Sequence, residues 1–477
     1  MIRRTKIVAT IGPASSSPAV LRELFAAGLD VARVTLAHGS LESQKALVHL
    51  IREEADAARR PVGILVDLPG PKVRTTAFAG TVTLQRDDRI ALVAGEPGDA
   101  GETAPSTATR LVVDYPTLAR DVEVGDIVGI GDGIVHLIVE ARDATSLSAR
   151  VTHGGTLTGR KGVKIPTERF RAPVPTPEDL ALVDAFKDRP VDIIAVSFVR
   201  SAADMTAVRA LTGRDGPWLM AKIETALAVE NLTEIIHASD AVMVARGDLG
   251  TELPIEDVPL LQKQIIHETV RNGKPVLVAT QMLESMIDAP TPTRAEATDV
   301  ANAVLDQASA VMLSAETAIG HDPALVVRTM DRMVRRAERE LDPGRLLAFA
   351  FENRDLSEVN VATVHAAWQA AHNVKAAAIL CCTRTGSTAR TMASFRPLTP
   401  LYGFTSDTRA SRQLSLCWGV QPFLHPRSGA STEEVMQHAI RTAREAGLVK
   451  PGEIVVVLAG SPQAGPGHTD TVRVATV

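Results

Sequence analysis

Lys6-Ile7-Val8-Ala9-Thr10, the amphipathic stretch Pro18–Ala27, and Val31-Ala32-Arg33-Val34-Thr35-Leu36 together set the unit that decides the architecture. A short β-branched run is followed by a turn and a longer stretch of helical periodicity. The strand-like member recurs at Val62–Asp67, Asp192–Ser197, Trp218–Ile223, Ala241–Val244, Pro275–Ala279 and Ala310–Leu313, which makes eight. Helical stretches such as Leu41–Ala58, Ala202–Leu211 and Ile255–Arg271 stand between them. Eight strand–helix units predict an α/β fold built on a closed parallel (β/α)8 barrel, with its functional groups at the C-terminal ends of the strands.

The texture changes between the third and fourth units. Thr81–Leu84, Arg89–Val93, Asp126–Ile130, Ile134–Glu140 and Ser146–Val151 read as short strands separated by Gly and Asp turns. They predict an all-β insertion, a small β-barrel serving as a lid, over 74–165. The catalytic barrel is then expected over 1–73 and 166–344. A C-terminal open α/β domain, with strands at Ala376–Thr383, Pro400–Thr405, Val420–Leu424 and Glu453–Leu458, is expected over 345–477.

Composition narrows the function. Lys and Arg number 51 against 56 Asp and Glu, a net charge of −5, so no basic excess points to nucleic acid or a membrane surface. Aromatic residues make up only 3%, too few for base-stacking platforms. The three cysteines, Cys381, Cys382 and Cys417, form no CxxC pair and favour neither a disulfide framework nor a zinc site. The N-terminus runs into a strand with no room for a signal peptide, so a cytoplasmic enzyme is expected.

Polar residues cluster at the strand ends. In Met220-Ala221-Lys222-Ile223-Glu224, alternation places Lys222 and Glu224 on one side, toward the barrel mouth. Val244-Ala245-Arg246-Gly247-Asp248 adds a second carboxylate, and Glu224 with Asp248 could share a hard cation such as Mg²⁺. A structural ion pair between Lys222 and Glu224 is the alternative. Arg33 shares a face with Thr35 and Ala37, and its planar fork suits a phosphate or carboxylate, or else a neighbouring side-chain carboxylate. Thr280 closes the seventh strand, where it adds a hydroxyl or caps the next helix. Together these residues read as metal-assisted chemistry on a phosphorylated or enolate-forming acid.

Longer motifs then carry a resemblance. Thr5-Lys6-Ile7-Val8-Ala9-Thr10-Ile11-Gly12-Pro13-Ala14-Ser15 resembles the N-terminal signature of the pyruvate kinase family. Ala221–Glu224, Met243–Gly250, Ala279–Met286, Pro292–Glu296, Val311–Thr317, Thr385–Arg390 and Cys417–Val420 are similar to that family's motifs, in order. The resemblance implies phosphoryl transfer from phosphoenolpyruvate to ADP, giving pyruvate and ATP, with Mg²⁺ or Mn²⁺ as cofactor. It implies that Lys222 stabilises phosphoryl and enolate charge, that Glu224 and Asp248 bind the metal, and that Arg33 holds the phosphoryl group. By the same carry-over, the Gly247 and Asp248 N–H groups receive the substrate carboxylate and Thr280 lies near the carbon that is protonated. Arg74, His38 and Lys161 would face the nucleotide, although His38 and Lys161 taken alone read as solvated surface. A homotetramer is implied as well.

Departures from the family pattern matter here. Thr35-Leu36-Ala37-His38-Gly39 replaces Asn-Phe-Ser-His-Gly, and Asp67-Leu68-Pro69-Gly70-Pro71-Lys72 replaces Asp-Thr-Lys-Gly-Pro-Glu. Two oxygen ligands for K⁺ are thereby lost, and the Lys72 ammonium beside Asp67 can supply the missing charge. Turnover that does not require K⁺ is expected, unless Lys72 is merely solvated. Ala315 replaces a Gly, and Lys164 replaces the Asn after Lys-Gly-Val. In the C-terminal domain, Thr383, Thr385, Ser387 and Thr388 form either a phosphate cradle for a sugar-phosphate or nucleotide effector, or ordinary helix capping. The closing loop Ala459–Gln463 lacks a Trp-Arg pair. A Mg²⁺-dependent pyruvate-enolate lyase or aldolase, and a non-catalytic phosphometabolite sensor on the same fold, are the rival readings.

Overall fold

The computed structural model describes residues 2–71, 73–78, 80–95, 106–131, 133–166, 169–342, 344, 346, 348–349, 356–424, 431–461 and 468–477. Eight parallel strands close into a barrel: Lys6–Thr10, Val31–Thr35, Gly63–Asp67, Ile193–Val196, Trp218–Ile223, Ala241–Ala245, Val276–Ala279 and Ala310–Leu313. Each neighbours its sequence neighbour, and the first pairs with both the second and the eighth. Several expected boundaries shift, mostly by a residue, and two of the shifts have a clear local reason. The seventh strand begins after Pro275, which has no N–H to give to a ladder. The helix expected from Ile255 begins at Val258, with a proline in its first turn where no intrahelical donor is needed.

Alternation along the strands sorts side chains into two layers. Ala32, Val34, Ile64, Val66, Leu219, Ala221 and Ile223 pack outward against the helices. Val8, Val31, Leu65, Ile193, Ala195, Trp218 and Met220 fill the barrel in a cluster that continues into the C-terminal domain. That domain is a five-stranded sheet in the spatial order Val420–Leu424, Leu401–Thr405, Ala378–Cys382, Ile454–Ala459 and Thr471–Thr476. The last strand is antiparallel. Its alternating Thr471-Val472-Arg473-Val474 went unread because an edge strand buries little. The two domains join through polar atoms: Lys6 Nζ donates to the Val420 carbonyl at 2.7 Å, and Gln413 Nε2 to the Asp192 carbonyl at 3.1 Å.

The insertion is a six-stranded sheet in the order Val163–Lys164, Ile127–Ile130, Val135–Arg142, Ser146–His153, Arg89–Ala94 and Arg110–Val113. Thr81–Leu84 pairs separately with Gly155–Thr158, and the described strands do not close into the ring that was expected. Three of these strands had no sequence reading: Val163–Lys164 is two residues long, Gly155–Thr158 buries only Leu157, and Arg110–Val113 pairs in parallel with a strand well before it in the chain. Among the described residues no helix is long and apolar enough to cross a membrane.

Candidate active site

The inward positions of the barrel change character toward the C-terminal ends of the strands. Above Val8 stands Thr10, above Val31 stands Arg33, and above Leu65 stands Asp67. Ser197 extends the column of Ile193 and Ala195, and Lys222 and Glu224 extend that of Trp218 and Met220. Arg33 donates to Asp67 Oδ2 from Nε at 2.8 Å and from Nη2 at 2.6 Å, and to Thr10 Oγ1 at 2.9 Å. The expected anion-binding arginine is therefore also a bridge to a neighbouring carboxylate. Asp67 is 2% exposed, and its other oxygen lies 3.4 Å from Lys222 Nζ. Burial acts to raise the Asp67 carboxyl, but Lys222 and Arg33 together hold it below the usual carboxylate range.

Lys222 is the centre of the arrangement. Its Nζ donates to Ser197 Oγ at 2.7 Å and lies 3.3 Å from Glu224 Oε2. Burial disfavours its charge, yet Asp67, Glu224 and Asp248 hold the ammonium well above the ordinary lysine range. Ser197 in turn donates to the Leu68 carbonyl at 2.6 Å. Sequence reading gave Ser197 no role, although counting the same alternation from Ile193 would have placed it inward. Glu224 Oε1 accepts the Phe198 N–H at 2.7 Å, whereas its Oε2 is buried and has no hydrogen-bond partner. Burial pushes the Glu224 carboxyl up to about 7, with Asp248 adding to the rise and Lys222 opposing it.

Asp248 lies in the first turn of the helix Arg246–Glu252 and is exposed. A buried carboxylate oxygen without a donor, near a second, solvent-facing carboxylate, is a donor set that fits a hard divalent cation with water or substrate oxygens completing its shell. Among the described residues no group of three or more His, Cys, Asp or Glu side chains could hold a metal, so Glu224 and Asp248 would be the protein's share.

Thr280 and Gln281 both adopt left-handed backbone, with φ of +68° and +53°, at a cost of about 1–2 kcal/mol for each non-glycine residue. Arg246 holds them there, donating from Nε to the Ala279 carbonyl at 3.1 Å and from Nη2 to the Thr280 carbonyl at 2.6 Å. The Thr280 hydroxyl accepts the Gly247 N–H at 2.9 Å, so the two groups expected near substrate already face each other.

The expected nucleotide-facing residues fall into two places. Arg74 bridges Gly162 across two antiparallel chain crossings between barrel and lid. Thr75 N–H donates to the Lys161 carbonyl at 2.8 Å, and Val163 N–H to the Val73 carbonyl at 2.9 Å. Arg74 and Lys161 are thus brought together. His38 is exposed on the loop after the second strand, its carbonyl accepting from Gln44 at 2.7 Å. Lys72 lies outside the described residues.

In the C-terminal domain Gly386, at φ +84°, opens the helix Ser387–Ser394. Thr388 is buried, its hydroxyl bonded to that of Thr469 at 2.6 Å, so it serves the fold's own packing. Thr383, Thr385 and Ser387 are partly exposed on the strand-to-helix turn. Pro462 and Gln463 of the closing loop lie outside the described residues.

Two comparisons bear on this geometry. Residues 2–327 match the family described as "Pyruvate kinase, barrel domain", and residues 361–475 match "Pyruvate kinase, alpha/beta domain". Among curated relatives, "Pyruvate kinase 2" of Synechocystis is 42% identical over all of this chain and 79% of its own length. "Pyruvate kinase" of Clostridium acetobutylicum is 36% identical over the full length of both chains. That of Mycobacterium intracellulare is 38% identical over 99% of this chain and 98% of its own.

Proposed function

The chain belongs to the pyruvate kinase family, and from that premise we propose that its barrel mouth transfers the phosphoryl group of phosphoenolpyruvate to ADP with Mg²⁺ or Mn²⁺ and without a requirement for K⁺. The lyase and sensor readings give way to a phosphotransferase. The observation that carries the reading is the Lys222 ammonium, fixed between Ser197, Asp67 and Glu224 beside a carboxylate oxygen with no donor of its own.

The bond between phosphorus and the enol oxygen breaks as a terminal phosphate oxygen of ADP bonds to phosphorus. The enolate then takes a proton on carbon to give pyruvate. Phosphoryl transfer asks for placement and charge neutralisation more than for a covalent partner. Lys222 supplies a positive charge fixed before substrate arrives, and Arg33 offers the N–H groups it does not give to Asp67. The Gly247 and Asp248 N–H groups receive the substrate carboxylate, Gly247 exchanging its bond to the Thr280 hydroxyl for the substrate, and that freed hydroxyl stands at the carbon that is protonated. Glu224 and Asp248 would hold the divalent ion, which would supply charge compensation to the phosphoryl group and the enolate. Arg74, Lys161 and His38 face the nucleotide. Lys72 takes the place of K⁺, and the turn carrying Thr383, Thr385 and Ser387 receives a sugar-phosphate or nucleotide effector. A cytoplasmic homotetramer completes the reading.

The test is pyruvate formation from phosphoenolpyruvate and ADP with Mg²⁺, with and without K⁺, in buffer free of Na⁺ and NH₄⁺. Rates agreeing within about twofold support the assignment, and a rise of about tenfold or more on adding K⁺ overturns the role of Lys72. No pyruvate under either condition overturns the kinase reading itself.

A further inference from the structure

Lys164 ends the short lid strand Val163–Lys164, and its side chain crosses to the barrel. Its Nζ donates to the Asp248 carbonyl at 2.9 Å and to Thr251 Oγ1, and lies 3.6 Å from Glu252 Oε1. Glu252 Oε2 accepts the Ala226 N–H at 3.0 Å, and Ala226 is two residues beyond Glu224. One lid ammonium therefore reaches both stretches of backbone that carry the carboxylates: Asp248 directly, and the Glu224 segment through a single side chain. The Glu252 side chain is 7% exposed, so loss of the lysine would leave it a buried charge without its cation. Asparagine at this position ends two atoms short of a lysine ammonium and could not span the same gap.

We propose that Lys164 is a positioning residue, a latch through which the lid sets the spacing of Glu224 and Asp248 and hence the divalent-metal affinity of the barrel. The proposal rests on the assignment of those two carboxylates to the metal. Partners that orient metal ligands typically change affinity by about 10- to 100-fold when lost.

Mn²⁺ binding to the full-length protein, followed by electron paramagnetic resonance, tests it in wild type, Lys164→Met, Lys164→Arg and Glu224→Gln. Lys164→Met should weaken Mn²⁺ about tenfold and lower the thermal midpoint through the uncompensated Glu252, with Lys164→Arg recovering most of both losses. In turnover assays the apparent Mg²⁺ constant should rise similarly, while kcat at saturating Mg²⁺ stays within about twofold. If Glu224→Gln weakens Mn²⁺ and Lys164→Met does not, the latch is wrong and the metal site stands. If neither variant weakens it, the metal assignment falls and the latch with it. A lowered thermal midpoint in Lys164→Met without recovery by arginine would mean general loosening, and would overturn a positioning role.

Discussion

Two buried arginine–aspartate pairs sit at opposite ends of the third barrel strand and behave in opposite ways. At the mouth, Arg33 meets Asp67, the last residue of the third strand, at 2.6 Å. At the other end, Arg52 meets Asp192, just before the fourth strand, at 2.7 Å. Both carboxylates are almost inaccessible, at 2% and 1% exposure, and burial pushes both toward neutrality. Asp192 yields to it and rises to about 6, with Arg52 only partly opposing. Asp67 does not, because Lys222 lies 3.4 Å away as a second close cation, whereas Arg412 and Arg409 oppose burial at Asp192 less than Arg52 does. The Asp192 pair is a staple: its carboxylate also accepts the Ile64 N–H at 2.8 Å, and its arginine caps the Val62 carbonyl at 2.9 Å. At Asp67 two cations meet one carboxylate, while Glu224 and Asp248 also draw on Lys222.

Removing the second cation should erase the contrast most completely. Lys222→Met leaves Arg33–Asp67 as a pair like the one at the far end, and phosphoryl transfer should fall about 10³-fold with phosphoenolpyruvate binding largely kept. A coupled pyruvate assay with a binding titration checks this, and retained turnover would refute the role of Lys222. Asp67→Asn keeps both cations but loosens their placement. We expect a loss of about 10²-fold in kcat and a lower thermal midpoint, since a buried pair is broken from one side. Ser197→Ala deletes one hydrogen bond to Lys222 and should cost about tenfold in kcat, with no change in the Mn²⁺ dissociation constant.

The smallest catalytic effect is expected at the far end. Asp192→Asn should leave turnover within about twofold while changing how stability responds to pH. The folded carboxyl titrates near 6 and the unfolded one near 3.9. Between those values only the folded state binds the proton, so the wild-type contribution falls as pH rises from about 4 to about 6. The wild-type midpoint minus that of the variant should fall as pH rises across that window, and parallel curves would contradict the assignment. Asp67 has the opposite sign: with its folded value lowered, its contribution is present above about 3.9 and is lost as pH falls through the folded value.

The barrel was legible because its strands are buried on both faces and read as unbroken apolar runs, eight times over. Lys222, Glu224 and Arg33 were legible because a charge at an inward strand position must meet a partner, with a structural ion pair as the plain alternative for each. Ser197 was not, since a serine after an apolar run looks like the start of a turn. Arg246 was quoted only as part of a motif. Its work, holding two carbonyls of a strained junction, depends on chain segments more than thirty residues apart. Lys164 registered only as a departure from a pattern, because its partners lie across the gap between lid and barrel. The short strand Arg110–Val113 pairs in parallel with Arg89–Ala94, a contact that no local periodicity announces.

The paired crossings at Arg74 and Gly162 have a kinematic consequence. Because each crossing is hydrogen-bonded to the other, they cannot swing independently and carry the lid as a single strap. Any rotation about that strap displaces a residue in proportion to its distance from the axis. Arg74 and Lys161 belong to that strap, so a rotation of the inserted sheet about it would displace them less than the outer strands.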